Sequence, residues 1–221
     1  MIRRRCGNCF AGITPREAGT MTKMKTIDMK AEDMEVDIRK KDTMVPVDVM
    51  IPVYKPGAEL KELLRRLALQ SLHPEHVIIV NTDEKYWIGG LSEAFPDIKL
   101  LHIPKNEFTH GHSRNLGASV SEADILVFMT QDAEPSDRSL IKNLISPIIN
   151  GKSSVSYARQ IARDDADPIE KITRKFNYPD VSCVKSAKDK ETLGIKTYFC
   201  SNVCAAYDRK IFDQLGGFHD E

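Results

Sequence analysis

From Val45 onward, apolar and polar positions fall into two alternating textures. The stretch "VDVMIPV" (47–53) alternates and runs into a proline and an aromatic, the signature of a strand, while "AELKELLRRLALQ" (58–70) sets Leu60, Leu63, Leu64, Leu67 and Ala68 on one helical stripe. "HVIIVN" (76–81) is a short continuous β-branched run, as expected for a strand covered on both faces, and "IKLLHI" (98–103) predicts a third strand. "SRNLGASVSEA" (113–123) predicts a helix, although Gly117 costs it about 1 kcal/mol relative to alanine. "DILVFMT" (124–130) predicts a fourth strand, and "SLIKNLISPII" (139–149) a helix interrupted by Pro147. Strands alternating with helices imply an α/β domain over residues 44–221, with a mostly parallel sheet and helices on both faces.

Residues 1–43 differ in texture. They are rich in charge and methionine and carry no sustained apolar period, so they predict a mobile N-terminal extension that buries little. Cys6 and Cys9 form a CxxC pair, but no second pair follows at zinc-ribbon spacing. The five cysteines read as free thiols of a reducing compartment.

Composition narrows the function classes. Lys+Arg and Asp+Glu balance at 32 each, so no overall field favours nucleic acid or an anionic membrane, and a phosphate-bearing ligand would be recognised locally. The longest apolar runs fall far short of the ~20 residues that span a bilayer. The first residues lack the apolar core of a secretory signal, so the sequence reads as cytoplasmic.

In parallel α/β sheets, ligands bind beyond the carboxyl ends of the strands, where the chain order switches. That rule selects Tyr54 and Lys55, residues 81–84, and residues 130–134 of "FMTQDAEPSD". Taken singly, Tyr54 could cap the core and Asp83 could cap a turn. Asp132 is harder to dismiss, because a carboxylate ending a buried strand must be solvated, paired or metal-bound; Pro135 is expected to stop any further regular pairing. Together these strand ends could hold a nucleotide: an aromatic or proline for the base, one carboxylate for its N–H, and another for a divalent ion on the diphosphate. Mg²⁺ or Mn²⁺ suits such hard oxygen ligands and acts as a Lewis acid on the departing diphosphate. In "NEFTHGHSRNLGAS" (106–119), His110, His112 and Arg114 crowd a helix start, where free N–H groups and the dipole favour an anion. The two histidines are spaced i, i+2, which suits ligand binding better than shared metal ligation. No GxxxxGK[ST], no GxGxxG after a strand and no GxSxG elbow competes.

These residues resemble the family-2 glycosyltransferases of the GT-A (Rossmann-like) fold over roughly residues 46–221. The resemblance rests on the first strand and helix, "VIIVNTDE", "HGHSRNLGAS", "ILVFMTQDAEP" and "FCSNVCAAYDRKIFDQLGGFHDE". Within the family, "FTHGHSRNLG", "TQDAEP" and "RQIARDDADPIEKITRKFNYP" resemble bacterial rhamnosyltransferases that use dTDP-rhamnose to build surface polysaccharides. The resemblance implies that Pro52 and Tyr54 flank the base, that Asp83 accepts from it, and that His110, Arg114 and Gln131 lie on the donor nucleotide. Asp132 would fill the second position of the Asp-x-Asp metal motif, with Thr130 in the first and Glu134 assisting. Arg159, Ser201 and Asn202 would lie on the acceptor or donor-sugar side. The family's inverting base lies in a Glu-Asp motif some way after "GGF", so it is expected beyond Glu221, and residues 44–221 would then be the donor-binding part. The implied partners are a nucleotide-sugar donor and a glycan or lipid-linked acceptor, with no nucleic acid; peripheral association with the inner face of a membrane would come through that acceptor or through downstream residues. Two alternatives remain open: a non-catalytic nucleotide-sugar or glycan-binding module, and a nucleotidyltransferase of similar architecture, which lacks its glycine-rich basic loop here.

Overall fold

The computed structural model describes the backbone of residues 4–13 and the whole of residues 45–220. Its strands are β1 (Arg4–Ile13), β2 (Val47–Tyr54), β3 (His76–Thr82), β4 (Ile98–Ile103), β5 (Ile125–Met129), β6 (Ala133–Pro135), β7 (Val155–Ile161), β8 (Cys183–Lys185) and β9 (Cys204–Asp208). The α-helices are α1 (Ala58–Leu67), α2 (Leu91–Ala94), α3 (His110–Ser119), α4 (Leu140–Ile149), α5 (Pro168–Asn177), α6 (Lys190–Leu193) and α7 (Arg209–Gln214).

One sheet runs β4-β3-β2-β5-β9-β7-β1-β6, with β8 also paired to β1. The block β4-β3-β2-β5 is parallel, as the βαβ pattern requires. The chain order reverses beside β2, which places the rim above β2, β3 and β5 at the switch point. Beyond β5, β9 is antiparallel to both β5 and β7. The alternating α/β pattern does not foretell these antiparallel strands.

Alternation along β2 builds a layer on each face. Val47, Val49, Ile51 and Val53 join the buried stripe Leu60, Leu63, Leu64 and Leu67 of α1 and the buried residues Ile141, Leu144 and Ile145 of α4. Each such leucine contributes about 1.5–3 kcal/mol by burial. On the other face, Met50, Ile78, Leu126 and Phe128 pack with Ala118 of α3 and Phe212 of α7. The predicted helices on both faces are therefore present.

Three elements depart from the sequence reading. α3 spans 110–119 rather than 113–123, because Thr109 caps it by accepting from the His112 backbone N–H at 2.9 Å. At its other end Ser121 is drawn away, its hydroxyl donating to the buried Asp48 carboxylate at 2.7 Å. Pro147 remains inside α4. Pro135, expected to end pairing, closes the short strand β6 beside β1.

Of residues 1–43, Arg4–Ile13 adds a strand antiparallel to β7, while 14–43, along with the side chains of Cys6 and Cys9, lie outside the described residues. Cys183, Cys200 and Cys204 are free thiols. Among the described residues, no helix is long and apolar enough to cross a membrane.

Candidate active site

The parallel ladders set the candidate residues level with one another. Tyr54 pairs with Thr82, so Asp83 follows one step beyond the end of β2. The β2–β5 register of Val47 with Ile125 and Met50 with Phe128 carries Tyr54 toward the Gln131–Asp132 turn. Gln131 closes that gap: the Tyr54 backbone N–H donates to its Oε1 at 2.8 Å, and its Nε2 donates to the Tyr54 carbonyl at 3.2 Å. Tyr54, Asp83 and Asp132 thus share one rim. Asp132 enters it from a turn held by the Thr130 N–H on the Val203 carbonyl and by the Ala133 N–H on the Thr130 carbonyl.

Two non-glycine residues at this rim have positive φ, Lys55 at 47° and Asp83 at 58°. Such conformations cost energy and persist where surrounding contacts over-determine them. Here those contacts build a shared surface. The rings of Tyr54 and Tyr86 meet edge to face at 5.7 Å, Lys55 Nζ lies 5.2 and 5.0 Å from the two ring centres, and Lys85 Nζ reaches Asp83 Oδ2 at 3.3 Å. Lys55 is among the strand-end residues selected from the sequence; Tyr86 and Lys85 are not. Tyr86 sits on a short 3₁₀ turn, Glu84–Tyr86, whose direction follows only from the turn at Asp83.

The crevice floor is formed where α3 crosses β2. Met50, Pro52 and Tyr54 alternate onto the α3 face of the sheet, and a Cβ on Gly117 would stand 3.0 Å from Met50 Cγ, so glycine lets the helix lie close. Arg114, nearly one turn nearer the helix start, is only 8% exposed. Its Nη1 donates to the His110 carbonyl at 2.7 Å, but its buried Nε has no partner among the described residues, and burial pulls its pKa down. Asn81 Oδ1, Thr82 Oγ1 and Thr130 Oγ1, at the ends of β3 and β5, are likewise buried without partners. Buried polar atoms of this kind carry a desolvation cost of about 1–3 kcal/mol each until something bonds them.

The start of α3 is occupied by the chain itself. Asp220 Oδ1 accepts from the His112 backbone N–H at 3.1 Å and from the Thr109 hydroxyl, and Asp220 Oδ2 lies 3.8 Å from His112 Nδ1. A carboxylate thus takes the place at the helix dipole expected for a ligand anion. Exposed His110 stacks edge to face on Phe108 at 5.3 Å.

On the side of α1, a cavity of about 400 Å³ is lined by Ala58, Glu59, Glu62, Asp132, Ala133, Glu134 and Arg163. Its donors are hard oxygens, which suit Mg²⁺ or Mn²⁺. Their engagement differs. Hydrogen bonds from Arg65 and Arg66 hold the Glu62 carboxyl down at about 2. Glu59 Oε1 accepts from the Gly57 N–H at 3.1 Å and from Gln131 at 3.3 Å. Glu134 faces Arg66 at 2.6 Å and Arg163 at 3.7 Å, so two guanidiniums compete with any cation for it. Asp132 has no ion pair among the described residues. Asp48, Glu75 and His76 also bring donor atoms within 4.8 Å of one another, but at the opposite end of β2 and β3, where Asp48 already accepts from Ser121 and His76.

The residues expected on the acceptor side lie beside β9, on the segment before it and on the neighbouring β7. Ser201 and Asn202 precede it, next to Thr130; Ser201 Oγ accepts from Gln160 Nε2 at 2.7 Å and Asn202 Oδ1 from the Tyr207 hydroxyl at 2.6 Å. Arg159 on β7 is further out, 3.6 Å from Asp180.

The mixed, mostly parallel sheet with helices on both faces is the architecture of the GT-A fold. Residues 48–216 match the family described as Glycosyl transferase family 2, and the chain belongs to that family. It is 36% identical over 173 residues to the O-antigen chain rhamnosyltransferase RfbN of Salmonella typhimurium, covering 78% of this chain and 55% of that protein. It is 33% identical over 172 residues to the O-antigen chain rhamnosyltransferase WbaN of Salmonella anatum, covering 77% and 54%. The chain therefore spans about half the length of these relatives. Among solved structures, the mannosyltransferase PcManGT from Pyrobaculum calidifontis, in complex with GDP-Man and Mn²⁺, aligns with a TM-score of 0.50 at 21% identity over 80% of this chain and 49% of its own. GalNAc-T7 with UDP, GalNAc and Mn²⁺ aligns at 0.52 and 13% identity over 78% and 37%. These two share the fold.

Proposed function

We propose that the chain is the donor-binding part of an inverting glycosyltransferase that takes a nucleotide-diphosphate sugar, dTDP-L-rhamnose, for transfer to a glycan or lipid-linked acceptor in bacterial surface polysaccharide synthesis. The observation that carries this reading is the common level of Tyr54, Asp83 and Asp132 on the switch-point rim. The orphaned atoms on Asn81, Thr82, Thr130 and Arg114 support it, because a bound nucleotide and its diphosphate could supply their missing partners. Both Salmonella relatives are named as rhamnosyltransferases, which supports the sugar.

In this reading Pro52, Tyr54 and Tyr86 shape the base slot, Asp83 accepts from the base, and Arg114 turns toward the diphosphate. Asp132 holds a divalent cation, Mg²⁺ or Mn²⁺, which supplies charge neutralisation on the departing diphosphate. Glu134 acts behind it by fixing Arg66 and Arg163. Ser201, Asn202 and Arg159 border the sugar and acceptor side. The protein would work at the inner face of a membrane, where a lipid-linked acceptor is presented.

Calorimetric titration with dTDP-rhamnose, UDP-glucose and GDP-mannose, with and without Mn²⁺, tests the reading. Tightest binding of dTDP-rhamnose is expected, with Asp132→Ala losing at least about tenfold, or 1.4 kcal/mol, of the Mn²⁺-dependent affinity. Absence of nucleotide binding under every condition would defeat it, and an unchanged Asp132→Ala affinity would remove that residue from its role.

A further inference from the structure

α5 packs with its polarity reversed. Asp167 caps it, Pro168 opens it, and Ile169, Ile172 and Phe176 fall on one stripe at i, i+3 and i+7. The side turned to the protein is charged: Glu170 and Arg174 pair at 3.4 Å with side chains 13% and 16% exposed, and Arg174 Nη1 donates to Gln160 of β7. The apolar stripe points outward, with Ile169, Ile172 and Phe176 exposed at 77%, 69% and 68%. Val181 and Ile195, also in the 161–199 stretch, add further exposed apolar surface. Among the described residues nothing covers this stripe, and a contiguous apolar surface of this kind marks an interaction site.

The charges around it indicate what covers it. The exposed charged residues on α5 are Lys171 and Lys175, and Lys196 Nζ lies 3.6 Å from the Phe176 ring centre. Against the helix lies a hollow of about 370 Å³ whose lining includes Arg159, Arg163, Lys171, Arg174 and Lys175 but only two carboxylates, Asp164 and Asp180. Asp180 is 3.6 Å from Arg159, Arg163 lies 3.7 Å from Glu134 and 3.2 Å from Asp165, and Arg174 pairs with Glu170, so the positive charge beside the helix comes from Lys171 and Lys175. A second copy docked on the stripe by two-fold symmetry would set these lysines against their own counterparts. An anionic lipid surface meets both requirements: the stripe enters the boundary of headgroups and acyl chains while the lysines reach the phosphates.

We propose that α5, through its apolar stripe and the flanking Lys171 and Lys175, docks the protein on a bilayer of anionic phospholipid. Arg163 lines both the hollow beside α5 and the cavity of Asp132, so docking would hold the candidate active site close to the membrane surface. The inference stands apart from the donor reading, because its test contains no nucleotide.

Co-sedimentation of the chain with phosphatidylglycerol/phosphatidylcholine vesicles, against pure phosphatidylcholine vesicles, provides that test. Binding is expected on the anionic vesicles alone and should weaken at high salt. Phe176→Asp should lower the partition constant more than tenfold, and Lys171→Ala or Lys175→Ala about fivefold each; because these side chains are exposed, circular dichroism should show the native fold in every variant. Three outcomes would overturn the proposal: no binding to anionic vesicles by the folded chain, binding that Phe176→Asp leaves intact, or a dimer in solution that Phe176→Asp dissolves without any lipid affinity.

Discussion

Gln131 shows most directly how a single side chain makes the rim. It bonds both backbone groups of Tyr54 and touches Glu59, joining β2, α1 and the turn after β5. The sequence selects it as a donor-side residue; in the structure its contacts are with the Tyr54 backbone and Glu59. Gln131→Ala removes the two hydrogen bonds to Tyr54, each worth about 1 kcal/mol net, and the longer one to Glu59. Urea unfolding should show a loss of about 1–2 kcal/mol, and nucleotide affinity should fall along with it as Tyr54 and the strained Lys55 relax. Affinity lost with stability unchanged would instead mean that Gln131 touches the ligand. Asp132 was selected because a carboxylate at a strand end needs a reason, and the structure leaves it without an ion pair among the described residues. Glu134, selected because two residues along an extended segment set it on the same side as Asp132, lines the same cavity but meets Arg66 and Arg163. Nothing in the local spacing could have revealed that, since Arg66 comes from α1 and Arg163 from beyond β7.

At the scale of elements, α3 is held by its packing more than by its propensity. Its two glycines weaken it intrinsically, yet Gly117 admits Met50 and Gly111 admits the chain's own C-terminal segment. Three contacts fasten that segment: the Asn115 side chain bonds the Phe218 N–H and carbonyl at 2.9 and 2.8 Å, the Phe218 ring joins Phe128, Tyr207 and Phe212, and Asp220 caps α3. A Cβ on Gly111 would come within 2.1 Å of the His219 carbonyl oxygen, so Gly111→Ala must lift residues 219–220 away. Hydrogen exchange at the His112 amide should then quicken by about tenfold, equivalent to the ~1.4 kcal/mol expected for losing one capping partner. An unchanged rate would mean that Thr109 alone suffices as cap. The predicted helix start overlooks the local Thr109 cap, and the additional capping carboxylate of Asp220 is out of its reach because it lies more than a hundred positions away in sequence.

At the scale of the whole molecule, the sheet joins a parallel block to an antiparallel one, and the join buries groups that titrate. Cys200 packs near Tyr207 with Sγ 3.7 Å from its hydroxyl, and burial pushes the thiol from 9.0 up to about 11. The folded state therefore holds a proton that the unfolded chain releases first. Its stabilisation is fully present below pH 9 and lost as pH rises toward 11, by on the order of 2 kcal/mol. Urea melts of the wild type and Cys200→Ala at pH 8 and pH 10.5, under reducing conditions, should show a smaller alkaline loss in the variant; parallel losses would assign the titration elsewhere. The sequence by itself determined the alternation of strand and helix from Val45 to Ile149, the two-faced burial of the sheet and the rim at its switch point, because these follow from periods of two and 3.6 that each segment carries alone. Tertiary structure alone decided the rest: β9 entering antiparallel between β5 and β7, Arg163 reaching Glu134, Asp220 reaching α3, and α5 turning its apolar stripe outward. Each depends on which distant segments meet, and periodicity says which face a segment buries but not what it will bury that face against.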